Sequence, residues 1–273
     1  MKLKKYIACL AACSAFFSAS SSAAPILSDI IFVVDESGSM GNVQANLRNN
    51  IGLFANILTG TGQVNAQYGL VGYGNSAVIP RMLTDLTNPT SFATAAQGLL
   101  TNGGTEPAYT GTAFALNALD NQTSLFSFRS NAVKNIIILT DEPSNGDTAA
   151  RGTVGGSAVS AAVLDAVLTD NNALYNGVLR GASTINSLQN LITSHGGSVF
   201  DLNQFNTTNQ TIVQQFVTDF ANAKLQETLN FCQLNPTDPA CQGGGTPVSE
   251  PASLALLGLG LVGLVASRRR LWV

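Results

Sequence analysis

Apolar runs and amphipathic runs alternate along most of the chain. Residues 29–34, "DIIFVV", form an unbroken aliphatic stretch of the kind that fills a strand buried on both faces. Residues 43–58 then repeat apolar side chains at helical spacing. The runs 67–74 and 77–83 predict two strands that turn at Asn75-Ser76 as a hairpin. Helices are predicted over 91–100 and 107–119, the second with Pro107 in its first turn, where a missing N–H costs nothing. A second buried strand follows at 134–141, then an Ala-rich helix at 157–169 and a strand at 173–181. A helix at 184–194, a short strand at 197–202 and a long helix at 210–229 complete the series. Strands alternating with helices imply an α/β fold: a doubly wound, mostly parallel six-stranded sheet with helices on both faces. The one hairpin supplies a single antiparallel strand at an edge.

Composition agrees with one ordered domain. The 273 residues are 45% apolar and 11% charged with a net charge of −3, enough to build one good core. Only thirteen Lys and Arg are present, several of them at the chain ends, so no basic face is available and nucleic acid is excluded as a partner.

Both ends read as addresses. Residues 1–24 combine Lys2, Lys4 and Lys5 with a short apolar stretch and then small residues, the pattern of a secretory signal whose removal would leave a mature start near Ala24 or Pro25. Leu10-Ala11-Ala12-Cys13 also resembles a lipobox, which would put a lipid on Cys13, so two export chemistries stay open there. At the other end, residues 252–266, "ASLALLGLGLVGLVA", are apolar and are followed by Arg268, Arg269 and Arg270. A span usually needs about 20 residues, yet the absence of a polar face and the Arg cluster point to a membrane segment with its Arg end inside. Together with Glu250-Pro251 just before it, this tail resembles the PEP-CTERM sorting signal of Gram-negative bacteria, with Ser249 where the first Pro is common. The resemblance implies anchoring in the inner membrane, processing by an exosortase-type protease and delivery to the cell envelope, the surface or the extracellular matrix.

The domain is expected over 28–229, a linker over 230–247 and the sorting segment over 248–273. Cys232 and Cys241 are the one cysteine pair outside the signal, and a short Pro-containing loop between them in an exported chain reads as a disulfide.

In an open parallel sheet, ligands gather beyond the carboxyl ends of the strands. Asp35 stands at that end of the first strand, with Ser37 and Ser39 spaced two apart behind it. Thr105 opens a helix after "TNGG", and Asp141 directly follows "NIIILT". These hard oxygen donors suit a six-coordinate Mg²⁺ or Mn²⁺, or Ca²⁺, with water in the remaining places. Asp-x-Ser-x-Ser after a buried strand, Gly-Gly-Thr before a helix and Thr-Asp after a second buried strand resemble the metal-ion-dependent adhesion site of von Willebrand factor A-type and integrin inserted domains.

The resemblance implies that Ser37, Ser39 and Thr105 bind the ion directly, Mg²⁺ foremost, while Asp35 and Asp141 hold it through water. An ion held largely by neutral groups stays electrophilic and takes a carboxylate from a partner protein as its sixth ligand. The implied function is metal-dependent adhesion or protein binding at the cell surface. Glu142 stands where the family often has Gly, and Glu36 and Glu106 also flank the site. These acids are either a solvated rim, or one turns inward to fill the sixth position or repel an acidic partner.

An enzyme is the main rival class. The single histidine, His195, the absence of a G-x-S-x-G elbow and the lack of a phosphate-loop Lys in "GGTEPAYTG" give catalysis no centre, so a binding module is expected. The other alternative is a structural envelope or matrix protein whose metal site engages no partner.

Overall fold

A computed structural model describes residues 24–242. The signal, the lipobox cysteine and the sorting tail, including Glu250, Pro251 and Arg268 to Arg270, lie outside the described residues. So does the expected span at 252–266; among the described residues no helix is long and apolar enough to cross a membrane.

Six strands form one sheet: β1 (Ile26–Asp35), β2 (Val64–Tyr73), β3 (Arg81–Thr87), β4 (Ala132–Thr140), β7 (Leu174–Leu179) and β8 (Val199–Asp201). They lie in the order β3-β2-β1-β4-β7-β8, with every pair parallel except β2 and the edge strand β3. The fold class expected from the alternation is therefore the observed one. A two-strand ribbon, β5 (Thr153–Val154) with β6 (Ser157–Ala158), stands apart from the sheet and takes up the first residues of the helix expected from 157.

Helices cover both faces because the strands are apolar on both. Along β1, Ile30, Phe32 and Val34 face one core with α1 (Gly41–Thr59), α2 (Pro89–Ala95) and α6 (Gln210–Leu234). Ile31 and Val33 point the other way, into a core with α3 (Ala108–Ala115), α4 (Ala161–Asp170) and α5 (Ala182–Ser194). Phe32 is held edge-on by Phe54 at 5.8 Å and by Phe92 at 5.3 Å, which fixes α1 and α2 over the centre of the sheet.

Boundaries differ from expectation for local reasons. The second hairpin strand starts at Arg81 and not at 77, because Val78 takes a left-handed φ of 57° and Pro80 has no N–H for a ladder. The connection is thus a loop from Gly74 to Pro80, wider than a turn at Asn75-Ser76. The helix expected over 107–119 ends at Ala115, and Asn117 just beyond has φ 56°. The helix expected from 157 begins at Ala161, where the Ser160 hydroxyl accepts the Val163 N–H at 3.3 Å.

The largest difference concerns the segment read as a linker. Helix α6 continues to Leu234, and the chain then folds back so that Ala240 packs with Val133 and Leu174, beside Ile26, Phe231 and Cys232. Cys232 and Cys241 form a disulfide there. Residues 230–242 are therefore part of the domain, closing the amino-terminal edge of the sheet.

Candidate metal centre

Because β1, β4 and β7 run parallel, Asp35, Thr140 and Leu179 finish at one edge. The chain leaves β1 in a turn that Asp35 itself holds: Oδ1 accepts the Ser37 N–H at 2.7 Å. The other oxygen, Oδ2, accepts the Thr140 hydroxyl at 2.9 Å. Gln44 on α1 donates to the Asp35 carbonyl at 3.2 Å and to the Leu100 carbonyl at 2.6 Å, fixing the backbone beneath. Asp35 is fully buried, and burial pushes its carboxyl up to about 7 against the opposing Ser37 and Thr140 hydrogen bonds.

From there a hydrogen-bonded chain crosses the edge. Ser37 Oγ and Ser39 Oγ are 3.0 Å apart, and the Ser39 hydroxyl donates to Asp141 Oδ1 at 2.9 Å. Since the Ser39 proton is committed to Asp141, Ser37 is the donor within the pair, and the Ser37 lone pairs are left free to bind a cation. Four of the five expected donor residues, Asp35, Ser37, Ser39 and Asp141, are thus brought together.

Thr105 arrives by another route. Ser37 and Gly103 form a single parallel bridge, and the Gly103 N–H donates to the Glu36 carbonyl at 3.1 Å. Only glycine fits there, because a Cβ on Gly103 would lie 1.6 Å from the Gly74 carbonyl oxygen. The Thr105 methyl lies against Gly146 in the loop after β4, 2.6 Å from where a Cβ on that glycine would stand. Among the described residues no hydrogen bond joins the Thr105 side chain to the Ser37-Ser39-Asp141 chain. Thr105 precedes helix α3 by three residues and does not open it.

The three flanking glutamates have three different environments. Glu36 is 0% exposed and points away from Ser37. Its Oε2 accepts from Asn75 Nδ2 at 2.8 Å and Arg81 Nε at 3.1 Å, and its Oε1 accepts from the Leu100 N–H at 2.8 Å and from Arg81 Nη2. It is neither rim nor sixth ligand but a tie between two loops. Glu106 is buried and accepts from Asn145 Nδ2 at 2.9 Å. Burial raises its pKa, opposed by that bond and assisted by the charges of Glu142 and Asp141. Glu142 is exposed and stands on the rim.

Sequence reasoning missed two groups. Asp147, whose pKa burial raises, accepts the Thr110 N–H at 2.8 Å, the Thr110 hydroxyl at 2.6 Å and the Ser144 hydroxyl at 2.6 Å, so it pins the loop carrying Gly146 to α3. Arg180 pairs with Asp141 Oδ2. Its sequence signal is its position: Arg180 directly follows a strand that ends on the same edge.

Among the described residues no three His, Cys, Asp or Glu side chains converge, so an ion here depends on hydroxyl oxygens. The donor set fits that demand: two serine hydroxyls within hydrogen-bond distance of each other, flanked by two carboxylates already oriented by those hydroxyls or their amides.

Comparison with known proteins identifies the domain and the sorting tail. The family model described as von Willebrand factor type A domain matches residues 29–215, and that described as PEP-CTERM protein-sorting motif matches residues 247–270. Among solved structures, proximal thread matrix protein 1 from the mussel byssus is similar at 16% identity and a TM-score of 0.48, over 73% of this chain and 49% of that one. The present chain thus spans about half the length of that protein. No curated protein matches the chain. The sorting motif marks an exported protein routed through the membrane to the cell envelope.

Proposed function

From the premise that this chain belongs to the von Willebrand factor type A domain family, we propose that it is a surface-held adhesion module whose loop edge holds one divalent cation and captures a partner protein through a carboxylate. The observation that carries this reading is the Ser37-Ser39-Asp141 hydrogen-bonded chain beside buried Asp35. Ser37, Ser39 and Thr105 would hold the ion, Mg²⁺ foremost with Mn²⁺ or Ca²⁺ as alternatives, and Asp35 and Asp141 would orient the hydroxyls and ordered water around it. The ion would supply an electrophilic position for an acidic side chain, because its protein donors are mostly neutral. Export and sorting complete the picture: an inner-membrane stage in a Gram-negative host, cleavage near Glu250-Pro251 by an exosortase-type protease, then display at the surface.

The reading is of a binder, not an enzyme. His195 lies at the far end of α5, on the opposite edge of the sheet, with Nε2 3.0 Å from Asp165 Oδ1. A catalytic role would require it near Ser37 or Asp141.

One observation favours the second reading, a structural envelope protein that captures nothing. Asp141 already has a positive partner in Arg180, so the edge is not left wanting a cation. Calorimetry with Mg²⁺ and capture of surface proteins with and without chelator separate the two. Adhesion predicts ion binding that Asp35→Ala combined with Ser37→Ala abolishes, and a chelator-sensitive partner that Thr105→Ala releases without unfolding the domain. A partner retained equally in chelator and by the Thr105→Ala protein favours the structural reading.

A further inference from the structure

Arg180 leaves β7 beside the candidate site and is aimed at it. Its backbone N–H donates to the Thr140 carbonyl at 3.3 Å, and Gly181, at φ 91°, then swings the chain into α5. The guanidinium therefore reaches across the end of β4 to Asp141 Oδ2, while Asp141 Oδ1 takes the Ser39 hydroxyl. One carboxylate joins the guanidinium to the hydroxyls that would hold an ion. The Asp141 side chain is only 3% exposed, so its charge is poorly solvated and depends on that partner, whereas Arg180 is 36% exposed and has room to move outward.

We propose that Arg180 is an internal cation for this site: it neutralises Asp141 when no divalent ion is bound, and it weakens the binding of one. The inference rests on the metal reading given above. A guanidinium and a divalent ion on the same small group of oxygens repel each other across a poorly solvated space. Binding of the ion then requires Arg180 to turn towards solvent or to accept that repulsion. In return, Asp141 is not left as an unpaired buried carboxylate when no ion is bound.

The test measures Mn²⁺ binding by electron paramagnetic resonance and Mg²⁺ binding by calorimetry, on the full-length chain purified in detergent, beside Arg180→Gln and Arg180→Lys. Arg180→Gln is expected to bind either ion about tenfold more tightly, since it removes a unit positive charge beside the site. Arg180→Lys keeps the charge and is expected to stay within about threefold of the original chain. In chelator, Arg180→Gln should melt at a lower temperature than the original chain, and added ion should raise its melting temperature by more. Equal or weaker ion binding by Arg180→Gln overturns the inference and leaves the metal reading intact. Tightening by Arg180→Lys as large as that by Arg180→Gln also overturns it, because charge is then not the cause. No ion bound by any of the three overturns the metal reading and this inference with it.

Discussion

Replacing Glu36 by Gln tests whether the acid next to Asp35 is structural. Its two oxygens receive four donors: the Leu100 N–H and Arg81 Nη2 on Oε1, Asn75 Nδ2 and Arg81 Nε on Oε2. A glutamine of the same shape keeps one acceptor but sets an N–H₂ against two donors, so two hydrogen bonds are lost. Bonds to charged groups contribute about 1.5–3 kcal/mol each. Arg81 is 37% exposed and regains some hydration, which places the net loss at about 3 kcal/mol, near the lower end of the range for two such bonds. That is a large share of the roughly 5–15 kcal/mol that holds a domain folded. With a urea m-value of about 2 kcal/mol/M, the unfolding midpoint should fall by about 1.5 M. The same carboxylate stands over Gly72, where an added Cβ would lie 2.6 Å from Glu36 Cδ, so Gly72→Ala should destabilise as well. A midpoint shift below about 0.3 M for Glu36→Gln would refute the reasoning and return Glu36 to the solvated rim.

Three further outcomes are expected. Gly146→Ala, at φ 69° and with a Cβ against the Thr105 methyl and the Arg151 guanidinium, should cost about 2 kcal/mol and lower the melting temperature by roughly 5 °C; an unchanged melt would show that the loop after β4 does not rest on Thr105. The Cys232→Ser, Cys241→Ser double variant should lose about 2.5 kcal/mol in urea unfolding, the effect of opening a short loop, and equal midpoints with and without reductant would contradict it. Lys224 is 0% exposed between Phe200 and Phe220, and burial pushes its pKa down to about 8 from 10.5, with Glu227 opposing. The unfolded chain therefore binds the extra proton between those two values, so stability from this residue rises as pH rises from about 8 to 10.5 and the charged form is penalised below. Lys224→Met should flatten that slope in urea titrations at pH 8, 9 and 10; an unaltered slope assigns it elsewhere.

The sheet was legible because its two central strands carry apolar runs, IIFVV at 30–34 and IIIL at 136–139. Runs that short and that rich in Ile and Val suit strands buried on both faces, and the helices between them imply parallel pairing. What was not legible depended on tertiary contact. Nothing local to Leu229 says that α6 goes on to Leu234; the extension becomes favourable because Phe231 and Cys232 reach the patch where Ala240 meets Val133 and Leu174. The left-handed Val78, which widens the hairpin loop, likewise has no signal in a residue type that ordinarily avoids that conformation.

At the site Asp35 and Asp141 could be read because one ends a buried strand and the other directly follows one, with Ser37 and Ser39 in the turn after Asp35, whereas Thr105 follows no strand and was legible only through the Gly-Gly-Thr pattern. The orientation of the acids was harder, although part of it was implicit. Side chains alternate along an extended segment, so with Asp35 and Ser37 on one side Glu36 has to face the other, and a buried carboxylate there calls for a base. Arg81 meets that need from the edge strand, and Arg180 meets the same need for Asp141. Two of the acids at this edge are thus already paired with arginines. At Glu36 and Asp141 a guanidinium already supplies the positive charge that a cation would otherwise bring. On the proposed reading, affinity for an ion would come from the geometry of Ser37, Ser39 and Thr105 and from a further oxygen supplied by a partner, and Arg81 and Arg180 would set the charge against which that geometry acts.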